Sequence, residues 1–374
     1  PEPLVPGGSA TVHYGGKYAL YDNLTIHYGF NGWNQVSGIG DLLEDASPGN
    51  TDYYLEAEMT PVLDGFEVTL DLPTDGRAMH FVFYWQDGED KEWDNNGGLD
   101  YHWALEFPYT GPWLTWNDTA GPTSGAVVSY QTSVACLGAV EYGTSPALGS
   151  WACGTEFDTL HHVPLTGLPA DTEIHYRVHD SAGHVSPTYT FRTAPVGSDQ
   201  LRLAVLADAQ DHGDGLRWAD SAAHLEFAHD VDLLLAPGDL ANNDKPGHWW
   251  TFFDKGRELL AGTVIVPAVG NHDTPGNGTN PDTSHFDRYF DLPMAAGTEA
   301  HYRIDIGPAA FLLVSTEIVN DKGPWSDQQI WLSQQLDDVD DQTVPWVFAA
   351  WHVPPFNAGN RHHVQMDSVR PLVA

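Results

Sequence analysis

The sequence predicts a multidomain protein in which two N-terminal β-sandwiches precede an α/β domain. Two segments in succession alternate apolar and polar residues in short runs, which Gly, Pro, Asn and Asp interrupt, as in antiparallel sandwiches. After about residue 200, apolar strands alternate with segments of helical spacing, which is typical of a layered α/β core. We therefore divide the chain into domains at 1–109, 110–196 and 197–374.

The composition excludes two classes of partner. The chain has 374 residues, and 52 Asp and Glu against 15 Lys and Arg give a net charge of −37. Such a surface repels nucleic-acid phosphates and anionic membranes, so we expect neither as a partner. No run approaches the roughly 18 apolar residues of a membrane span. The chain starts at Pro1 without a visible signal peptide and stops within Met366–Ala374, a segment typical of a starting helix, so we expect a fragment with an incomplete third domain.

The two cysteines, Cys136 and Cys153, lie in one β-rich region. A disulfide between neighbouring strands would imply an oxidising compartment and hence an extracellular or periplasmic protein. Two separate buried thiols are the alternative.

The first segment is rich in aromatic residues, several of which lie in polar loops. Its clearest strands are Thr25–Tyr28, Gly65–Leu72 and Met79–Trp85. Trp33 and Trp93 are instead flanked by Asn, Asp and Gly, so we expect both rings to be exposed. Exposed aromatic rings stack well on flat sugar faces, while neighbouring amides and carboxylates bind the hydroxyl groups.

Three blocks of this segment resemble the starch-binding carbohydrate modules: His27-Tyr28-Gly29, Asn31-Gly32-Trp33 and Trp93-Asp94-Asn95-Asn96-Gly97. The resemblance covers most of residues 10–107. It implies that His27, Trp33 and Trp93 contact an α-glucan. The alternative is that the last block is a structural turn in a fold that does not bind sugar.

The second segment, Pro112–Pro195, has strand patterns at Ala126–Gln131, Glu173–His179 and Thr188–Thr193. Leu165–Val178 resembles the late hairpin of fibronectin type III domains. In the purple acid phosphatase group such a domain precedes the catalytic one, which implies a structural role with loops that wall the active cleft. We expect His161 and His162 to be solvated loop residues rather than ligands.

In the third segment, four apolar strands each end in a polar block. The blocks are Asp208-Ala209-Gln210, Gly238-Asp239, Gly270-Asn271-His272-Asp273 and Trp351-His352. Strand ends of this kind converge at one edge of a layered core. Carboxylate, amide and imidazole groups are the ligands of two divalent or trivalent metals about 3.5 Å apart. The spacing therefore predicts a dinuclear metal site with one shared carboxylate.

This ordered set resembles the calcineurin-like metallophosphoesterases over Leu201–Ala374, which implies an αββα-layered domain. The resemblance implies that Asp208 binds the first metal and that Asp239 bridges both metals. It implies that Asn271 and His352 bind the second metal. His272 matches the histidine that donates to the phosphate or leaving group. Asp273 matches the acid that orients this histidine; a cap on the next turn is the alternative.

The chain departs from that family at three points. Gln210 stands where many members have a histidine, and we predict that its amide oxygen is a weaker metal ligand. Asn242 stands where purple acid phosphatases have a tyrosine, so we expect no purple tyrosinate centre. The final Gly-His-x-His block is absent from this sequence. His362 and His363 precede its expected place, and we interpret them as residues of a loop or the substrate rim.

Together these patterns predict a secreted hydrolase, a metal-dependent phosphoesterase that a front module tethers to α-glucan. Two ions of Fe, Zn or Mn, of open identity, would hold a bridging hydroxide that attacks the phosphate ester. One alternative is a phosphodiesterase or nucleotidase on the same scaffold. Another is a non-catalytic glucan-binding surface protein with a degenerate phosphoesterase domain, which Gln210 and the absent last block favour.

Overall fold

The structure is a computed structural model, and it describes most of the chain between residues 7 and 354. The described residues are 7–31, 33, 39, 43–44, 53–73, 78–88, 90–104, 109–197, 200–210, 216–228, 231–275, 282–294, 300–319, 327–339 and 344–354. The predicted helix at Met366–Ala374, together with His362 and His363, lies outside the described residues.

The front domain is a sandwich of two antiparallel sheets. Its strands are β1 (Ser9–Tyr14), β2 (Thr25–Phe30), β3 (Leu43–Glu44), β4 (Tyr53–Glu58), β5 (Thr60–Val62), β6 (Gly65–Asp71), β7 (Ala78–Asp87), β8 (Asp90–Asp94) and β9 (Tyr101–Ala104). One sheet has the order β1-β6-β5 and the other β3-β4-β2-β7-β8, with β9 beside β7. Alternate residues of β1 point inward, and they meet Ile26, Phe66 and Met79 in one core. The predicted sandwich is confirmed.

The second domain is built on one long hairpin. Its strands are β10 (Thr110–Thr115), β11 (Ala126–Gly143), β12 (Ser150–Leu165), β13 (Glu173–His179) and β14 (Tyr189–Arg192). β11 pairs with β12 along most of its length, with β10 at its start and with β13 at its end. His161 and His162 lie inside β12, so the expectation of solvated loop residues is wrong. His161 is only 3% exposed, because its register opposite Tyr130 places it over Gly138, which has no side chain.

The third domain is α/β, as predicted. Its elements are β15 (Leu203–Val205), α1 (Leu216–Ala228), β16 (Leu233–Pro237), α2 (Pro246–Lys255), α3 (Arg257–Gly262), β17 (Val264–Ala268), α4 (Ser284–Tyr289), β18 (Tyr302–Ile306), β19 (Ala309–Leu313), α5 (Thr316–Val319), α6 (Asp327–Asp338) and β20 (Trp346–Ala350). β15, β16 and β17 are parallel, and a second sheet has the order β18-β19-β20. None of the described helices is both long and apolar enough to cross a membrane.

The second and third domains share one sheet. β10 lies parallel to β17 with Leu114 opposite Val264, which gives an eight-stranded sheet of order β14-β13-β11-β10-β17-β16-β15 with β12 beside β11. Trp113 is fully buried beneath this junction, where its ring stacks on Phe253 at 3.8 Å. A single hydrophobic core therefore extends through both domains.

The front domain rests on the third domain through Tyr109. Trp250 in α2 donates a hydrogen bond from Nε1 to the Tyr109 carbonyl at 3.0 Å. The Tyr109 hydroxyl lies 3.0 Å from Nδ1 of His80 in β7. Ala78, Tyr109 and Trp250 form a small buried cluster at this contact.

The two cysteines are unpaired thiols, so the predicted disulfide is wrong. In the β11–β12 register Cys136 lies opposite Asp158, and Cys153 lies opposite Ala139. Cys136 is buried with its sulfur 3.6 Å from Nε2 of His161, whereas Cys153 is exposed. A bulge between Leu137 and Ala139 adds to this offset, and the cysteines give no support for an oxidising compartment.

Candidate metal centre

The polar blocks predicted to converge follow the carboxyl ends of four strands. Asp208 follows β15, Asp239 follows β16, Asn271 and His272 follow β17, and His352 follows β20. One potential ligand atom from each of Asp208, Asp239 and His352 lies within 4.8 Å of the others. These three side chains therefore form a cluster with metal-binding geometry.

Two glycines allow the loops to approach this closely. A Cβ atom on Gly270 would lie 2.2 Å from the backbone nitrogen of Asp239 and 2.3 Å from its Oδ1. A Cβ atom on Gly238 would lie 2.8 Å from Cα of Gly270 and from Cβ of His352. Asp208 and Asp239 both have left-handed backbone conformations, with φ of 55° and 56°. Strained non-glycine residues of this kind cluster at functional sites.

Asp239 is the hub of the cluster and is only 3% exposed. Its Oδ1 accepts the backbone N–H of His272 at 2.8 Å. Its Oδ2 lies 2.9 Å from Nε2 of Gln210 and 3.1 Å from Nε2 of His352. Both oxygens thus contact groups from other strand ends.

Without a metal, Asp239 and His352 form an ion pair. Burial opposes the charges, yet the hydrogen bond between them holds the pKa of Asp239 below its usual value. Burial likewise lowers the pKa of His352, but the bond to Asp239 outweighs it and raises that pKa to about 9. Nδ1 of His352 lies 3.1 Å from the Pro237 carbonyl. A cation at this place would replace the proton on Nε2, because an imidazole ligates metals in its neutral form.

Gln210 provides an independent indication that the cluster suits a cation. Its amide nitrogen donates to Asp239, while its Oε1 is buried without a hydrogen-bond partner among the described residues. A buried acceptor without a partner is costly, and a metal ion would satisfy it. Two carboxylates, an imidazole and this amide oxygen fit a divalent or trivalent ion.

His272 is held by a backbone carbonyl. Its Nδ1 lies 2.7 Å from the oxygen of Asn242, so Nδ1 donates this hydrogen bond. Nε2 then remains for a substrate, and it can donate to a phosphate only when the ring carries both protons. For Asn271 the structure gives a backbone contact, since its carbonyl accepts the Thr274 hydroxyl at 2.9 Å. Metal ligation by its side chain stays a prediction.

Asp273 does not have the predicted role of orienting His272. It is fully buried, and its Oδ1 accepts the backbone N–H groups of Leu240 and Ala241 at 2.9 and 3.0 Å. Its Oδ2 accepts the N–H of Gly270 at 2.9 Å. Burial, and then the charge of Asp239, raise the pKa of Asp273 to about 7. Asp273 thus fastens the loop after β17 to the loop after β16.

The sequence patterns missed two contacts of the loop that follows Asp239. The first is the Asn242 carbonyl, whose role depends on the backbone and leaves no sequence signal. The second is a pair in which Oδ2 of Asp244 lies 2.9 Å from Nδ1 of His285. Oδ1 of Asp244 accepts the Trp249 indole at 2.9 Å. His285 lies on α4, a helix too short to show a period in the sequence.

Comparison with known families gives two matches along the chain. Residues 101–193 match the family described as the purple acid phosphatase N-terminal domain, and residues 201–374 match the calcineurin-like phosphoesterases. The chain has a purple acid phosphatase-like domain arrangement. Neither of these two matches includes residues 1–100 of the front domain.

Several curated relatives are purple acid phosphatases from Arabidopsis thaliana. Purple acid phosphatase 15 is 26% identical over 239 residues, which cover 56% of this chain and 44% of the relative. Purple acid phosphatase 22 is 28% identical over 218 residues, with coverage of 56% and 48%. A phosphoenolpyruvate phosphatase from Allium cepa is 25% identical over 254 residues, with coverage of 62% and 51%. The chain spans about half the length of these relatives.

Solved structures support the fold. A purple acid phosphatase from yellow lupin (Lupinus luteus) seeds superposes with a TM-score of 0.58 at 17% identity, covering 98% of this chain and 74% of that one. PhoD superposes with a TM-score of 0.51 at 14% identity, covering 67% and 64%. At these identities the likeness concerns the fold alone.

The purple acid phosphatase-like part carries a front domain in which the three predicted sugar-binding residues lie together. The His27 ring stacks on Tyr54 at 4.2 Å and lies 5.4 Å from Trp33 and 5.6 Å from Trp93. Trp93 is 42% exposed. Trp33 is only 7% exposed, so the expectation of an exposed ring is wrong there. Its ring packs against Gly29, where a side chain would clash with it.

Proposed function

We propose that this chain is the catalytic part of a metal-dependent phosphoesterase that hydrolyses phosphate esters at a dinuclear centre. The observation that carries the proposal is the cluster of Asp208, Asp239 and His352, whose ligand atoms lie within 4.8 Å of one another. The buried Oε1 of Gln210, which has no hydrogen-bond partner in the described part of the chain, supports it. The match of residues 201–374 to calcineurin-like phosphoesterases sets the reaction class.

In this proposal Asp208 and Gln210 would hold the first ion, Asp239 would be shared by both ions, and Asn271 and His352 would hold the second. Bound Fe, Zn or Mn ions would supply Lewis acidity and an activated water for in-line attack on phosphorus. The protein supplies the fixed geometry, because Asp239 is held by hydrogen bonds from three other strand ends.

His272 is the proposed proton donor to the phosphoryl oxygen or leaving group. The Asn242 carbonyl and Asp239 fix its ring and its backbone respectively. A donor placed where negative charge develops stabilises the transition state. This matters in a chain of net charge −37, because an anionic substrate is otherwise repelled.

The test is activity and metal content of the parent protein and of Asp239→Asn. The substitution removes one charge from a bridging position, so we expect loss of bound transition metal and a fall in p-nitrophenyl phosphate hydrolysis of about 10³-fold or more. Asp90→Asn, on the exposed end of β8, is the matched control and should change neither quantity. A metal-free protein whose activity is the same in wild type and Asp239→Asn would overturn the proposal. The ratio of monoester to diester hydrolysis separates a phosphatase from a phosphodiesterase.

We also propose that the front domain binds α-glucan through His27 and Trp93. The exposed Trp93 ring lies at the edge of a cluster that includes Tyr84, 4.8 Å away, and His27, which suits stacking on a sugar face. The buried Trp33 ring, 5.4 Å from the His27 ring, would keep His27 in position for the sugar. An extracellular or periplasmic location belongs to this proposal, because a glucan tether suits a secreted enzyme.

Pull-down on insoluble starch tests the tether. Trp93→Ala should lose most retention, since the loss of one aromatic platform removes the stacking surface. Trp151→Ala removes an exposed tryptophan of the second domain, 55% exposed against 42% for Trp93, and should be retained like wild type. Equal retention of wild type and Trp93→Ala would overturn the role of Trp93 in sugar binding, and a wild type that starch does not retain would overturn the tether itself.

A further inference from the structure

A small cavity lies where the three domains meet. Its volume is about 130 Å³, and we call it the junction cavity. The front domain contributes Asn96, the second domain Gln131 and Ser133, and the third domain Arg288 and Tyr289. The described lining includes none of the proposed metal ligands, so the junction cavity is separate from the metal centre.

The charge of the cavity lining is opposite in sign to the net charge of the chain. Among the described lining residues there is one permanent cation, Arg288, and no carboxylate. Burial lowers the pKa of His102, another lining residue, to about 4, so this imidazole is neutral near pH 7. Arg288 is held only loosely, because one of its terminal nitrogens lies 3.4 Å from both oxygens of Asp158. The guanidinium therefore has donors to spare.

Two nearly buried polar side chains line the junction cavity without partners. Gln131 is 7% exposed and Tyr289 is 3% exposed. Neither side chain forms a hydrogen bond within the described part of the chain, although the backbone of each does. Their amide and hydroxyl groups are accessible at the cavity wall, so both are available to hydrogen-bond an occupant.

We propose that the junction cavity binds a small tetrahedral oxyanion, with Arg288 as its charge partner and Gln131 and Tyr289 as hydrogen-bond donors. A volume of about 130 Å³ equals the share of roughly four water molecules, which is room for an ion of the size of phosphate or sulfate. Ser133 and Asn96 add a hydroxyl and an amide at its edge. Because the donors come from all three domains, the bound ion stabilises their packing against one another. The experiment must distinguish a bound oxyanion from a cavity that holds water molecules alone.

The experiment measures thermal unfolding of the full chain with inorganic phosphate, after a chelator has removed metal so that the metal centre contributes nothing. Sodium chloride at the same ionic strength is the baseline, and sulfate is a second tetrahedral anion. We expect phosphate and sulfate to raise Tm in a saturable way. Gln131→Leu should weaken apparent phosphate affinity about tenfold, and Gln131→Glu should abolish the response, because its carboxylate repels the anion.

The matched control is Gln86→Glu, an exposed position on β7 that should keep the full response. The proposal is overturned if chelated wild type shows no rise beyond chloride, or if both Gln131 variants keep the wild-type rise. If Gln131→Glu does not fold, the Gln131→Leu titration decides alone. Because metal is absent, failure here leaves the proposed hydrolysis untouched.

Discussion

At Gly270 the missing side chain allows the close approach of two loops that carry proposed metal ligands. A Cβ atom there would lie 2.2 Å from the Asp239 backbone, which cannot move without shifting the proposed bridging carboxylate. We expect Gly270→Ala to lower phosphoesterase activity by about 10²-fold, since a displacement of about 1 Å has that effect on a positioned group. Metal content, measured with the activity, should fall as well.

Gly121→Ala is the control for this substitution. A Cβ on Gly121 would meet nothing within 4 Å, so activity and metal content should match wild type. If Gly270→Ala retained both, the close approach of the two loops would have no role in the site.

His161 gives a pH dependence to stability. Burial lowers its pKa from 6.5 to about 4. The unfolded chain binds a proton at His161 near pH 6.5, whereas the folded chain binds it only near pH 4. The contribution of neutral His161 to the free energy of unfolding is therefore complete above pH 6.5 and is lost as the pH falls to 4. The loss is on the order of 3 kcal/mol. Urea unfolding at pH 7 and pH 4.5 should show a smaller pH effect in His161→Gln than in wild type.

Gln86→Leu, at an exposed position that does not titrate, is the matched control. Its pH dependence should equal that of wild type. A pH effect in His161→Gln as large as in wild type would show that other groups cause the acid destabilisation.

The sequence predicted which residues of the site lie at strand ends, but not what each side chain contacts. Asp208, Asp239 and His352 converge because apolar runs ending in polar residues place them at one edge. The backbone partners of Asp273 lie on another loop, and no local pattern indicates them. For Trp33 the polar neighbours in sequence predicted exposure, whereas the ring fills the space that Gly29 leaves open.

At the scale of elements, helical spacing in the sequence located the helices but not every break or buried face. The spacing of Leu216–Ala228 predicts a helix, and α1 has those bounds. The spacing of His248–Leu260 predicts a single helix, but the structure divides this segment between α2 and α3 at Gly256, where a side chain would meet the Trp218 ring at 2.4 Å. The amphipathic pattern of Ser326–Val339 predicts that Ile330, Leu332 and Leu336 face inward. Leu332 on α6 is buried as predicted, whereas Ile330 is 43% exposed, so that part of the prediction is wrong.

Trp113 ties three elements together: its ring on β10 stacks on Phe253 of α2, and its Nε1 donates to the Tyr289 carbonyl at the end of α4 at 3.0 Å. Trp113→Phe leaves that buried carbonyl without its donor and opens a small cavity. We expect a loss of about 2–4 kcal/mol in the free energy of unfolding, measured in urea. Trp151→Phe, at an exposed position, should cost less than about 0.5 kcal/mol. Similar losses in the two variants would argue against a special role for the Trp113 contacts with α2 and α4.

At the scale of the whole molecule, charge opposes folding. A net charge of −37 repels itself in the compact state, and salt screens this repulsion as the Debye length falls from about 30 Å at 0.01 M to about 8 Å at 0.15 M. We expect Tm to rise with sodium chloride, most steeply below about 0.15 M. Equal osmolarities of sucrose should not reproduce that steep initial rise. A flat or falling Tm would show that acidic side chains are stabilised locally instead.

The sheet shared by β10 and β17 bears on how this architecture can be rearranged. A cut at residue 197, the domain boundary predicted from the sequence, would remove β10 from beside β17. The edge of β17 would then be unpaired and prone to aggregation. The same cut would leave Phe253 without the Trp113 ring that stacks on it. The phosphoesterase unit is therefore not portable on its own. To preserve the phosphoesterase unit, a fusion or a domain exchange has to keep the chain from about residue 109 onward in one piece. The same holds for a recombination event.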